Sequence, residues 1–211
     1  MRVLEATGII LAGGKSSRMG TNKALLKING KTVIENVITE LEPLVNHILI
    51  VTNSFEDYEF LNLPMVEDQW KEMGPLAGIH AGLRSSKSER NLIVACDMPF
   101  ISSQLGEILL HQLDSYQAAV PEISGQLHPL FAAYRKEVKE EIQKALEKEQ
   151  LRIRGIFRNI HVKIMNETDF GINGLEIEES ALFNMNHPEE YEQAKSMTKN
   201  EKSNDKAKGR D

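Results

Sequence analysis

Three short runs along the chain are almost entirely apolar: TGIIL (Thr7 to Leu11), HILIVT (His47 to Thr52) and NLIVACD (Asn91 to Asp97). Apolar runs this short, without alternation, predict strands buried on both faces, as in a parallel sheet covered by helices. Between them the spacing lengthens. Val33, Ile34, Val37, Ile38, Leu41 and Leu44 recur at helical intervals over Thr32 to Leu44, with Pro43 near the end. A second helical stretch runs from Pro75 to Ser85 and carries Ala77, Gly78, Ala81 and Gly82, small residues that allow close packing on a sheet. A third begins at Ser102 or Ser103, both good N-cap residues, and runs to Leu113.

The second half of the chain is less regular. Ala118 to Pro121 and Pro129 to Tyr134 are weaker strand candidates, and His161 to Met165 is a further one. Lys136 to Glu149 reads as a highly charged helix with a solvated face, Arg152 to Asn159 as a short helix, and Pro188 as the start of a last helix with Glu189 and Glu190 in its first turn. The alternation of strands and helices predicts an α/β fold: a single doubly wound, mostly parallel sheet with helices on both faces, spanning residues 1–197. From Thr198 the sequence TKNEKSNDKAKGRD has almost nothing to bury and is expected to be a disordered charged tail, residues 198–211.

Composition narrows the function classes. The chain has 211 residues, 41% of them apolar, enough for one domain with a sizeable core. Its net charge of −6 argues against sequence-independent nucleic-acid binding, which depends on Lys and Arg against phosphates. Cys96 is the single cysteine, so there is neither an internal disulfide nor a Cys/His set at zinc spacing. The N-terminal apolar run is interrupted by Glu5 and too short for a secretory leader, and nothing has the length of a membrane span. These features predict a cytoplasmic chain with no membrane or nucleic-acid partner.

The chemistry concentrates behind the first strand, in LAGGKSSRMGTNKALL (Leu11 to Leu26). In an open α/β sheet, ligands bind beyond the carboxyl ends of the strands. Gly13 and Gly14 let backbone N–H groups approach a ligand closely, and successive N–H groups there can form an anion nest. Lys15, Arg18 and Lys23 add charge-assisted donors. The combination reads as a polyphosphate cradle, against the alternative of a glycine-rich surface turn with incidental charges. It is not a Walker loop: Gly14-Lys15-Ser16 would need a glycine at Ile9. The fingerprint G-x-G-x-x-G is absent as well. An acid, Asp97 in CDMPF, ends a buried strand beside the same crevice. Burying it is costly without a nearby cation, and Mg2+ held by one carboxylate together with phosphate oxygens would supply that cation.

LAGGKSSRMGTNKALL resembles the signature L-A-(A/G)-G-x-S-x-R-M-G-x-x-K-x-L of the nucleotidyltransferase superfamily. Over residues 7–197 the chain is most similar to its molybdenum cofactor guanylyltransferase family. The resemblance implies nucleotide contacts at Leu11, Ala12, Gly13, Gly14, Lys15 and Lys23, at Asn53, at Asp68, at Gly74 and Pro75 of MGPLAG, and at Asp97. It makes Asp97 the Mg2+ ligand, with Lys23, Arg18 and Asp97 as the catalytic set. GQLHPLFAAYR (Gly125 to Arg135) and FNMNHPEE (Phe183 to Glu190) match segments facing the second substrate, which brings in His128, Asn184 and Asn186. His187 stands where the family usually has Thr. Among Arg152, Arg154 and Arg158 the match is loose; Arg154 represents the phosphate-binding arginine expected there.

The resemblance further implies the substrates GTP and molybdenum-molybdopterin, with Mg2+ as cofactor. A small GTP-binding accessory protein and recipient molybdoenzymes would be the protein partners. Gly13-Gly14 favours guanine, since cytidylyl relatives tend to have Ala-Gly. The alternatives are a cytidylyltransferase acting on the pterin or on a sugar or alcohol phosphate, and a non-catalytic GTP-binding regulator on the same fold. Cys96 reads as a small core residue, not a nucleophile.

Overall fold

The three apolar runs become the centre of one sheet. The computed structural model describes residues 4–13, 22–177, 179–185 and 187–197; Gly14, Lys15, Arg18, Asn186 and the expected tail at 198–211 lie outside the described residues. In chain order the strands are β1 (Leu4–Leu11), β2 (Lys27–Ile28), β3 (Lys31–Thr32), β4 (Val45–Val51), β5 (Met65–Val66), β6 (Arg90–Ala95), β7 (Ala118–Ile123), β8 (Gln126–Leu127), β9 (Phe131–Arg135) and β10 (Val162–Met165). The helices are α1 (Val33–Leu41), α2 (Pro75–Ser85), α3 (Ser103–Gln112), α4 (Val138–Glu147), α5 (Ile153–Ile156), α6 (Glu167–Ile172) and α7 (188–197).

The sheet order is β10-β7-β9-β6-β1-β4-β5, with β8 paired to β7. β1 runs parallel to both β4 and β6, β4 to β5, and β7 to β10. β9 is antiparallel to β6 and β7. The sheet is therefore mostly parallel, with β9 reversed in its middle and β8 antiparallel on β7. Side-chain alternation explains why both faces are covered. Ala6, Ile10, Leu92, Val94, Phe131 and Ala133 pack with α1 and α3, while Ile9, Leu11, Ile93, Ala132 and Tyr134 pack with α2 and α4. Adjacent residues of one strand thus enter different cores.

Local chemistry sets several element ends. Thr32 and Glu35 form a reciprocal capping box at the start of α1, with Thr32 N–H donating to Glu35 Oε2 at 2.7 Å. α1 ends at Leu41, not Leu44, because Pro43 has no N–H to continue the ladder. Leu44 is still buried, from the turn that follows. Ser102 caps α3 by accepting Leu105 N–H. The β2–β3 hairpin turns through Asn29 and Gly30, both at positive φ, an Asn-Gly pair suited to a tight hairpin. The charged stretch 136–149 is less solvated than its composition suggests. α4 buries Val138, Ile142, Ala145 and Leu146 along one stripe and leaves its charges on the other.

The small residues of α2 serve close packing. A Cβ on Gly82 would collide with Ile9 Cγ2 and lie 3.3 Å from Val51 Cγ2, and Ile9 is fully buried with nowhere to move. Gly82→Ala should therefore destabilise the protein by ~1–3 kcal/mol, the usual range for overpacking a core, as read by denaturant unfolding. An unchanged midpoint would show that α2 is free to shift off the sheet.

Candidate active site

The strand order reverses at β1: β4 and β5 follow on one side, β6 on the other. A crevice at such a switch point, beyond the carboxyl ends of parallel strands, is where open α/β sheets hold ligands. Backbone bonds tie these ends into one rim. Ala12 N–H donates to Val51 O at 2.8 Å, Thr52 N–H to Val66 O at 2.9 Å and Cys96 N–H to Leu11 O at 3.1 Å. Leu11, Ala12, Gly13, Asn53, Asp68 and Asp97 all stand on or just past this rim, although they come from four separate strands. Among the described residues, no atom lies within 4 Å of where a Cβ on Gly13 would be.

Lys23 opens a 3-10 turn, Lys23–Leu25, that follows the loop. Its Nζ stands 4.0 Å from Asp97 Oδ2, with the two side chains only 16% and 22% exposed. That separation is too long for a hydrogen bond and close enough for strong electrostatic coupling. Burial pushes the Asp97 carboxyl above its ordinary value; Lys23 opposes the shift and Glu190 of α7 adds to it. Asp97 is thus a largely desolvated carboxylate with Lys23 beside it, a donor that a divalent cation could use. Among the described residues there is no cluster of three or more His, Cys, Asp or Glu that could hold a metal alone. The donor set fits Mg2+, which commonly takes one or two protein carboxylates and completes its shell with phosphate oxygens and water.

The nucleotide side of the rim has its own internal contact. Asn53 Nδ2 donates to Asp68 Oδ2 at 3.1 Å. Asp68 Oδ1 is buried without a hydrogen-bond partner. A buried acceptor left unpaired is costly, so this atom is suited to receive an N–H or O–H from a ligand. Gly74 precedes α2 at φ +70°, a conformation that glycine adopts without strain, and Pro75 occupies the first helical position.

The second-substrate candidates divide. Met185 N–H donates to Asp97 O at 3.1 Å, which docks the Asn184 segment against the end of β6, and Phe183 stacks at a tilt on Phe100. Asn184 Oδ1 is another buried acceptor without a partner. Glu190 Oε2 accepts His187 N–H at 2.7 Å, so the backbone half of a capping box survives with His at this position. His128 lies in the turn before β9, its N–H donating to Pro121 O at 2.9 Å, while Leu130 O accepts Ala95 N–H. That reversed strand brings His128 to the same rim. Burial lowers its imidazole pKa, favouring the neutral form. Arg154 is different. It lies exposed on α5, in the helical layer, and no described contact joins it to Asp97 or Asn184. Cys96 behaves as expected of a core residue, its thiol pushed up to about 12 by burial.

Sequence reasoning passed over Asn22, Asp57 and Tyr58, and read Glu190 only as a first-turn acid of the last helix. Asn22 was legible as an N-cap type before LysAlaLeu. The others become relevant only through the fold.

A family model, the MobA-like NTP transferase domain, matches residues 8–164. The chain belongs to the MobA-like NTP transferase family. It is 39% identical over 186 residues, 88% of its length, to a chain from Carboxydothermus hydrogenoformans named a probable molybdenum cofactor guanylyltransferase, of which it covers 93%. Among solved structures, molybdopterin-guanine dinucleotide biosynthesis protein A of Archaeoglobus fulgidus superposes with a TM-score of 0.78 at 24% identity, covering 92% of this chain and 99% of that one. The 2-C-methyl-D-erythritol 4-phosphate cytidylyltransferase of Thermus thermophilus superposes with a TM-score of 0.69 at 17% identity, over 93% and 100% of the two chains. At those identities the likeness is one of fold. As a MobA-like transferase the chain is a nucleotidyltransferase by family, and no helix among the described residues is long and apolar enough to cross a membrane.

Proposed function

We propose that this MobA-like protein transfers GMP from GTP to molybdenum-molybdopterin, giving the guanine dinucleotide form of the cofactor and pyrophosphate. One observation carries the mechanism: Lys23 Nζ and Asp97 Oδ2 face each other at 4.0 Å where the strand order reverses. A cation beside a largely buried acid at this rim suits a site in which Lys23 would meet phosphate charge and Asp97 would hold Mg2+. The named relative of Carboxydothermus supports the choice of guanine and pterin.

The reaction joins two anions. A terminal phosphate oxygen of the pterin attacks the α-phosphorus of GTP; that P–O bond forms as the bond from the α-phosphorus to the bridging oxygen breaks, and pyrophosphate leaves with the electron pair. The attacking oxygen is already ionised, so no strong general base is required. The barrier lies in charge repulsion and alignment. Lys23 neutralises phosphate charge from the loop exit, and Lys15 and Arg18 are placed by sequence to do the same. Asp97 would hold Mg2+, whose chemistry there would be charge neutralisation of the phosphates. Asp68 Oδ1, with Asn53 steadying its other oxygen, accepts from the guanosine. Neutral His128 and Asn184 orient the pterin side.

The test is pyrophosphate release by the purified protein with Mg2+ and molybdenum-loaded molybdopterin, comparing GTP, CTP, ATP and UTP. Release with GTP alone, lost when the pterin is omitted, is the expected result. Release with CTP would move the protein to a cytidylyl reaction with the same site. GTP binding without release would make it a regulator.

A further inference from the structure

Lys23 can act on a phosphate only if the exit of the loop is held in place, and the residues that hold it lie outside the set assigned so far. A 3-10 turn of three residues has little stability of its own. Asn22 caps it, Oδ1 accepting Ala24 N–H at 3.2 Å. The same side chain reaches across to the segment leaving β4: its Nδ2 donates to Tyr58 Oη at 3.0 Å and to Asp57 Oδ2 at 3.1 Å. Tyr58 is 2% exposed and sits in the core cluster that also contains Ala24, the residue after Lys23. Its hydroxyl, pushed up by burial, stays protonated. Asp57 and Tyr58 are themselves fixed by a backbone turn, with N–H groups donating to Ser54 O and Phe55 O. Ser54 directly follows Asn53, the partner of Asp68.

We propose that Asn22, held by Tyr58 and Asp57, is a positioning residue that locks the Lys23 turn to the β4 exit, keeping the Lys23 amine beside Asp97 and in register with the Asn53–Asp68 pair. It does not touch substrate. It acts through Lys23, whose long flexible side chain needs a fixed Cα to deliver its charge to one place. The proposal rests on the reading of Lys23 as a phosphate-binding cation. It adds that the loop exit and the nucleotide-side rim form one unit, joined by side chains of Asn22, Asp57 and Tyr58.

The test uses Asn22→Ala and Tyr58→Phe in the full chain, alone and combined with Lys23→Ala. Tyr58→Phe keeps the buried ring, so it remains informative should Asn22→Ala fold poorly. A misplacement of about 1 Å can cost up to ~100-fold, so each single variant is expected to lower GTP turnover by ~10-fold or more. Adding either change to Lys23→Ala is expected to lower turnover no further, because both act through the same amine. A multiplicative further loss would mean a general structural role and overturn the proposal. A second readout is independent of turnover: the rate of Lys23 acetylation by acetic anhydride, followed by mass spectrometry relative to the other lysines. Lys23 is 16% exposed in the intact protein, and its relative labelling should rise severalfold in Asn22→Ala. Unchanged labelling would overturn the positioning role. A wild-type protein silent with every nucleotide would instead sink the transferase reading, while the labelling still decides the role of Asn22.

Discussion

Lys23→Ala is expected to lower kcat/KM for GTP by ~100- to 1,000-fold, the usual cost of removing one preorganised donor from developing phosphate charge. The reason is geometric. The Lys23 amine is the described cation nearest Asp97, at 4.0 Å, in a crevice that hides most of both side chains. A partly water-excluded site makes that charge worth more than it would be at an open surface. Both kcat and nucleotide affinity should fall, since under the proposed function the amine would meet triphosphate charge before reaction and pyrophosphate charge as it departs. Lys23→Arg should recover little, because a planar fork on a longer stem places its charge elsewhere. Steady-state pyrophosphate release over a range of GTP concentrations separates the two parameters. Turnover within threefold of wild type would remove Lys23 from the mechanism.

Asp97→Asn should abolish Mg2+-dependent turnover and also stabilise the metal-free protein. Burial raises the Asp97 carboxyl above its ordinary value, so the folded state binds this proton more tightly than the unfolded chain does. Such a group favours folding below its unfolded pKa. It becomes a cost as pH rises through the raised folded value, where a buried carboxylate must ionise. The variant should therefore melt higher than wild type at neutral pH in EDTA, and the difference should vanish near pH ~3, below the ordinary carboxylate pKa. Adding Mg2+ and GTP should raise the melting temperature of wild type and not of the variant, since only a ligand bound to the native state shifts the equilibrium. Thermal unfolding at two pH values, with and without Mg2+ and GTP, checks all three statements. An equal shift in both proteins would take the metal away from Asp97. A variant no more stable than wild type at neutral pH would mean that Lys23 already compensates the buried charge in full.

The two variants differ in a useful way. Losing Lys23 removes a cation that offsets Asp97, while losing the Asp97 charge removes the need for it. The double variant Lys23→Ala with Asp97→Asn is thus expected to be less destabilised in EDTA than the sum of the single effects predicts, the mark of a coupled pair.

The amino-acid sequence by itself determined the strands at the centre of the sheet, because a run such as TGIIL can be buried only with both faces covered. It marked the small residues of α2 and a serine cap at 102 or 103, since periodicity and capping chemistry are local properties; which serine caps, and that Gly82 meets Ile9, the structure decided. The resemblance, carried by three separate segments, also implied nucleotide contacts at Lys23, Asp68 and Asp97. What it could not carry was partnership. Alternation reports that Phe131 and Ala133 are buried, not that β9 runs against β6 and so delivers His128 to the rim. That direction shows only in the pairing itself, which sets Phe131 opposite Val94 and Ala133 opposite Ala119. The charges of 136–149 masked a buried stripe, because composition averages over a helix whose two faces differ. Only the tertiary structure brought Asn53 onto Asp68, docked Met185 on Asp97 and placed Tyr58 behind Asn22, contacts between residues 15, 88 and 36 positions apart. A single chain encodes such pairs through the packing of elements between them, and that packing is decided when the whole core closes.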